Sequence, residues 1–89
     1  MALTFEPTLT RYWIEIRNPD DFRAVLGAEE RGLRPTLGAK LNDLRGVIEV
    51  DYGTSDLSLS IDADEDVPEF KQEISDLIEG HIALCRPVA

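Results

Sequence analysis

Carboxylates are the most abundant reactive groups in this chain, and one cluster of them has a spacing that suggests a ligand. Asp62-Ala-Asp64-Glu65-Asp66, with Glu73 beyond it, sets acids at the first, third, fifth and twelfth positions of a calcium loop. Such a loop requires glycine at its sixth position for the sharp turn, and Val67 stands there, followed by Pro68. A helix-capping loop accounts for the same residues. Asp66 caps the amide of Glu69, Glu69 reaches back, and the other acids sit where the helix dipole favours them. No metal or other cofactor is expected, and a cation- or small-molecule-binding module using the Asp62–Asp66 loop stands as the alternative.

His81 and Cys85 are the single residues of their types. The alternation of Ile82 and Leu84 after Gly80 reads as a short edge strand. On a strand, positions four apart are separated by about 13 Å, too far for one metal ion or a nucleophile–base pair. Cys85 therefore reads as a small apolar residue, and His81 as a residue at a helix end. No phosphate-cradling glycine loop, nucleophile motif or convergent zinc set occurs, so a non-catalytic domain is expected.

Trp13 points to binding rather than catalysis. In Arg11–Arg17, residues Tyr12, Ile14 and Ile16 alternate with Arg11, Trp13, Glu15 and Arg17, so Trp13 faces away from the apolar side of a strand. Large aromatics in such places are enriched at binding surfaces. Val47, Glu49, Asp51, Ser58 and Ser60 are expected beside it. The competing reading tucks Trp13 under the N-terminal segment, against Phe5 or Leu9.

The charge balance narrows the partner. Residues 46–89 hold eleven acids and two bases, while residues 1–45 hold seven of each, giving the net charge of −9. Such a chain is repelled by nucleic acid and by anionic membrane, whose phosphates need Lys and Arg. Neither is expected as a partner. Basic proteins are the favoured ones, and a homodimer through the sheet face or an edge strand is also compatible. No apolar run approaches a membrane span, and the first residues lack the pattern of a signal peptide. One cysteine precludes an internal disulfide, and a reducing cytoplasm is the simplest expectation.

The elements that position these residues are legible in outline. Asn18 caps a helix with Pro19 in its first turn, Phe22, Val25 and Leu26 make its apolar stripe, and Gly32 stops it. A second short helical piece runs from Thr36 to Leu44. Two strands follow, with Ile48, Val50 and Tyr52 on one face of the first and Leu57, Leu59 and Ile61 on one face of the second. A helix from Val67 to Glu79 carries Val67, Phe70, Ile74, Leu77 and Ile78 inward and ends at Gly80. The 89 residues make one domain with one modest core.

Leu41-Asn-Asp-Leu-Arg-Gly46-Val-Ile-Glu-Val50-Asp-Tyr, then Leu57-Ser-Leu, and Ile74-Ser-Asp-Leu-Ile-Glu-Gly80-His resemble the second half of the heavy-metal-associated domains. The resemblance implies a ferredoxin-like α+β fold of order β-α-β-β-α-β. An antiparallel sheet would be covered on one face by helices, with an extra helical segment after the first strand. That family binds metal through two cysteines just after the first strand, where this chain has Arg17-Asn-Pro-Asp-Asp-Phe22. Metal transfer therefore does not carry over. The expected activity is that of a protein-interaction domain of the immunity, antitoxin, inhibitor or regulatory kind. Its surface would comprise Trp13, Val47, Glu49, Asp51, Asp62, Asp64, Glu65, Asp66, Glu69 and Glu73.

Overall fold

Alternation of period two builds the sheet, and helical spacing builds the layer that covers one side of it. The computed structural model describes residues 3–8, 10–54, 56–65 and 68–86. Strands β1 (Leu3–Thr8) and β2 (Arg11–Ile16) come first, followed by helices α1 (Pro19–Glu30) and α2 (Leu37–Asn42). Strands β3 (Val47–Tyr52) and β4 (Asp56–Ile61), a single 3-10 turn at Ala63–Glu65 and helix α3 (Pro68–Cys85) complete the fold. The sheet has the order β1-β2-β4-β3, with every neighbouring pair antiparallel.

The inner face of the sheet and the three helices share one core. Tyr12, Ile14 and Ile16 from β2 and Leu57, Leu59 and Ile61 from β4 are buried against Phe22 and Val25 of α1. Leu37 and Leu41 of α2 join them, as do Phe70, Ile74, Ile78 and Ile82 of α3. Register confirms the facing, since Tyr12 pairs with Leu59 and Ile14 with Leu57. Local capping follows the sequence. The Asn18 side chain accepts from the Asp20 amide at 3.0 Å, and Thr36 accepts from the Ala39 amide at 3.2 Å.

The order is thus β-β-α-α-β-β-α rather than the expected β-α-β-β-α-β, and both ends of the chain account for the difference. At the N-terminus, Leu3–Thr8 forms an edge strand beside β2, in the place expected of a C-terminal strand. Phe5 pairs with Ile14 and packs its ring edge-on to Tyr12 at 6.0 Å between centroids. Pro7 is tolerated because an edge strand leaves one row of amides outside the ladder. At the C-terminus, residues 81–85 continue α3 instead of forming a strand. Ile74, Ile78, His81, Ile82 and Cys85 lie on one helical face and all are buried, and that burial outweighs the cost of about 1 kcal/mol for glycine inside a helix.

Gly80 is exposed, and a Cβ added there would meet nothing within 4 Å. Gly80→Ala should therefore raise the free energy of unfolding by about 0.5–1 kcal/mol in urea denaturation. A helix ending at a left-handed Gly80 would instead be destabilised by the same change.

Gly46 is a different case. Its φ of +97° is closed to most side chains, and a Cβ would lie 2.7 Å from Glu65 Cγ. The chain then enters β3 through a bulge, a register shift between Val47 and Glu49. The extra residue swaps the faces expected at the start of that strand. Val47 pairs with Ile61 and packs on the core, whereas Ile48 is 67% exposed. Val47 therefore leaves the outer-face set, and Ile48 leaves the core.

Two polar ties pin the helices. The Tyr52 hydroxyl donates to Glu29 Oε1 at 2.6 Å and accepts from the Gly38 amide at 2.8 Å, joining β3, α1 and α2. Burial, and then the bond to Glu29, push this phenol well above its usual range. Arg86 grips the buried Asp21 carboxylate with two bonds, Nε to Oδ1 at 3.0 Å and Nη2 to Oδ2 at 3.1 Å. The end of α3 is thereby fastened to the first turn of α1.

Candidate interaction surface

With all three helices on the inner side, the outer face of the sheet presents its own side chains in cross-strand rows. In one row Arg11 lies opposite Ser60, which lies opposite Glu49. In the next, Trp13 lies opposite Ser58, and Ser58 opposite Asp51. In the third, Glu15 lies opposite Asp56. Trp13 is 42% exposed, and Glu15, Glu49 and Asp51 are exposed around it. Ser58, between Trp13 and Asp51, is buried.

The Arg11 guanidinium sits 5.9 Å from the Trp13 ring centroid and donates to Ser60 Oγ at 2.9 Å. At an exposed site such a cation–π contact contributes about 0.5–1 kcal/mol and holds the indole in place. The competing placement of Trp13 under Phe5 does not occur, because Phe5 lies on the inner face. Leu9 lies outside the described residues.

Glu15 and Asp56 are opposite only by register, since the Asp56 carboxylate lies against Gly53 in the β3–β4 turn. Among the described residues no base forms an ion pair with Glu15, Asp56, Glu49 or Asp51.

The remaining predicted residues lie elsewhere. Asp62 and Asp64 are exposed in the turn after β4, where the Asp64 amide donates to Asp62 Oδ1 at 3.0 Å. Glu65 pairs with Arg45 at 3.5 Å. Asp66, and with it the expected cap, lies outside the described residues. Glu69 and Glu73 are exposed on α3, in the helix layer, so they share no face with Trp13. Among the described residues no three His, Cys, Asp or Glu side chains come together so as to hold a metal ion. No helix among them is long and apolar enough to cross a membrane.

His81 and Cys85 share the buried side of α3 rather than standing on a strand. Burial pushes the Cys85 thiol up, which lowers its thiolate fraction and its value as a nucleophile. The pair therefore belongs to the core. The signal that places it there is the spacing Ile74, Ile78, Ile82, which runs on through Gly80.

No protein-family model, curated protein or solved structure matches this chain.

Proposed function

We propose that this is a non-catalytic protein-interaction domain whose outer sheet face receives a partner with a basic surface, in the manner of an immunity, antitoxin, inhibitor or regulatory module. The observation that carries the reading is the uncovered face itself. An exposed, guanidinium-braced Trp13 stands among the exposed carboxylates of Glu15, Glu49 and Asp51. An aromatic anchor inside a charged margin is the usual composition of a binding hot spot. A partner's Lys or Arg would find carboxylate acceptors in Glu15, Glu49 and Asp51. Opposing two copies of this face would set acid against acid, which favours a different protein over a second copy.

The framework is proposed as a modified ferredoxin-like one. The succession β2-α1-β3-β4-α3 supplies β-α-β-β-α, and β1 takes the remaining edge. A reducing cytoplasm suits the lone Cys85 and is the proposed compartment.

The test is affinity recovery from the source lysate at low and high salt, followed by titration of the recovered partner. Trp13→Ala is expected to weaken binding about thirtyfold or more, on the order of 2 kcal/mol. A Glu15→Gln/Asp51→Asn double variant should slow association and flatten its salt dependence. Unchanged affinity in both variants would place the interface elsewhere.

A further inference from the structure

Independently of any partner, α3 contains a group that the fold holds at a disadvantage. His81 is 1% exposed, and neither ring nitrogen has a hydrogen-bond partner among the described residues. A buried imidazole normally satisfies at least one nitrogen, because an unmade bond in the interior forfeits the hydration it had in water. Protonation would be worse, since it turns both nitrogens into donors and adds a charge.

The groups around His81 do little to relieve that charge. Lys40 from α2 opposes a positive imidazole, and Glu29 from α1 favours one. Glu29 is already bonded to the neutral Tyr52 hydroxyl of β3. On α3 itself the neighbour on the same face is the Cys85 thiol, kept neutral by burial. Burial first, and Lys40 second, thus hold the His81 imidazole below its usual range.

The place of His81 in the helix makes this consequential. Gly80 immediately precedes it, giving the backbone a point of extra freedom inside α3. The residues that follow it are held by Ile82, Cys85 and the Asp21–Arg86 pair. Segments open locally at costs ranging from about zero up to that of global unfolding, and opening here must break all three of these contacts.

We propose that His81 is an acid-sensitive latch, neutral and enclosed when the last turns of α3 are docked, and that its protonation releases residues 81–86 by hinging at Gly80. In the open segment the imidazole titrates near its ordinary 6.5, and in the docked segment it titrates lower. The open form therefore binds more protons between those values, so docking weakens as pH falls through that window and levels off once the docked form also charges. Above the window the latch is fully closed. The opening constant can rise by up to about tenfold for each pH unit below 6.5.

Hydrogen exchange of the intact chain, followed by mass spectrometry from pH 7.5 to 5.0, reads the segment directly once intrinsic rates are corrected for pH. Peptides covering residues 81–86 should lose protection by about threefold or more, while those of β2 and β4 keep theirs. In His81→Leu, with His81→Met as a second variant should the first fail to fold, protection of residues 81–86 should no longer change over the same range. The proposal is overturned if wild-type protection there stays constant within about twofold. It is equally overturned if the change persists without His81, or if the β2 and β4 peptides open in step with the segment.

Discussion

Tyr12→Ala is expected to lower the free energy of unfolding by about 3–5 kcal/mol, the usual cost of truncating a buried aromatic. The same change at the adjacent Trp13 should cost about 1–2 kcal/mol, in proportion to the smaller apolar area that Trp13 removes from water. Tyr12 is fully buried and central to the core. Its ring meets Phe5 at 6.0 Å and Phe70 at 6.4 Å, and Lys71 Nζ lies 5.4 Å from its centroid. Removing it detaches β1 and the start of α3 from the same point, and that cavity cannot close by the movement of one side chain. Since domains of this size are stable by only about 5–15 kcal/mol, the alanine variant will be marginal. Tyr12→Leu, which keeps most of the apolar volume, provides a second measurement that stays in range. Urea midpoints at unchanged m-value decide the matter. Equal costs at Tyr12 and Trp13 would mean that the sheet does not face as described, and the proposed interface would fall with it.

The opposite facing of those neighbours was legible in the sequence, because strict alternation on β2 and β4 fixes which residues face the helices, whereas the exposure of Trp13 was not. The caps at Asn18 and Thr36 were legible for a similar reason: each follows from residue types within one turn of chain. What escaped depended on distance or on competition. The Glu15–Asp56 row needs the register of two strands about forty residues apart in sequence, and no local pattern encodes that register. The bulge at Val47/Glu49 comes just after Gly46, which packs against the Glu65 side chain in a contact between separate segments. One extra residue there was enough to exchange Val47 and Ile48 between faces. Asp21 looked like an ordinary first-turn acid, and its burial under Arg86 joins residues 65 apart in sequence. β1 was hidden by Pro7 and by the short reach of its apolar pattern, of which Leu3 and Phe5 are the inward members.

The end of α3 poses the sharpest choice, and a pair of substitutions resolves it. In a strand, Ile82 and Leu84 would point the same way, whereas in a helix they are about 200° apart and face different surroundings. Ile82 is fully buried and Leu84 is 68% exposed. Ile82→Ala is therefore expected to cost about 2–5 kcal/mol, and Leu84→Ala no more than about 0.5 kcal/mol. A short apolar run is ambiguous between the two periods when taken alone. Here Gly80 and the alternation of Ile82 with Leu84 favoured strand, and the longer rhythm from Phe70 onward favoured helix. Tertiary burial decides between them, because continuing the helix carries His81, Ile82 and Cys85 into the core beneath α1 and α2, while an added edge strand would compete with β1 for the free side of β2. Comparable losses at both positions in equilibrium denaturation would restore the strand and would remove the hinge on which the His81 latch depends.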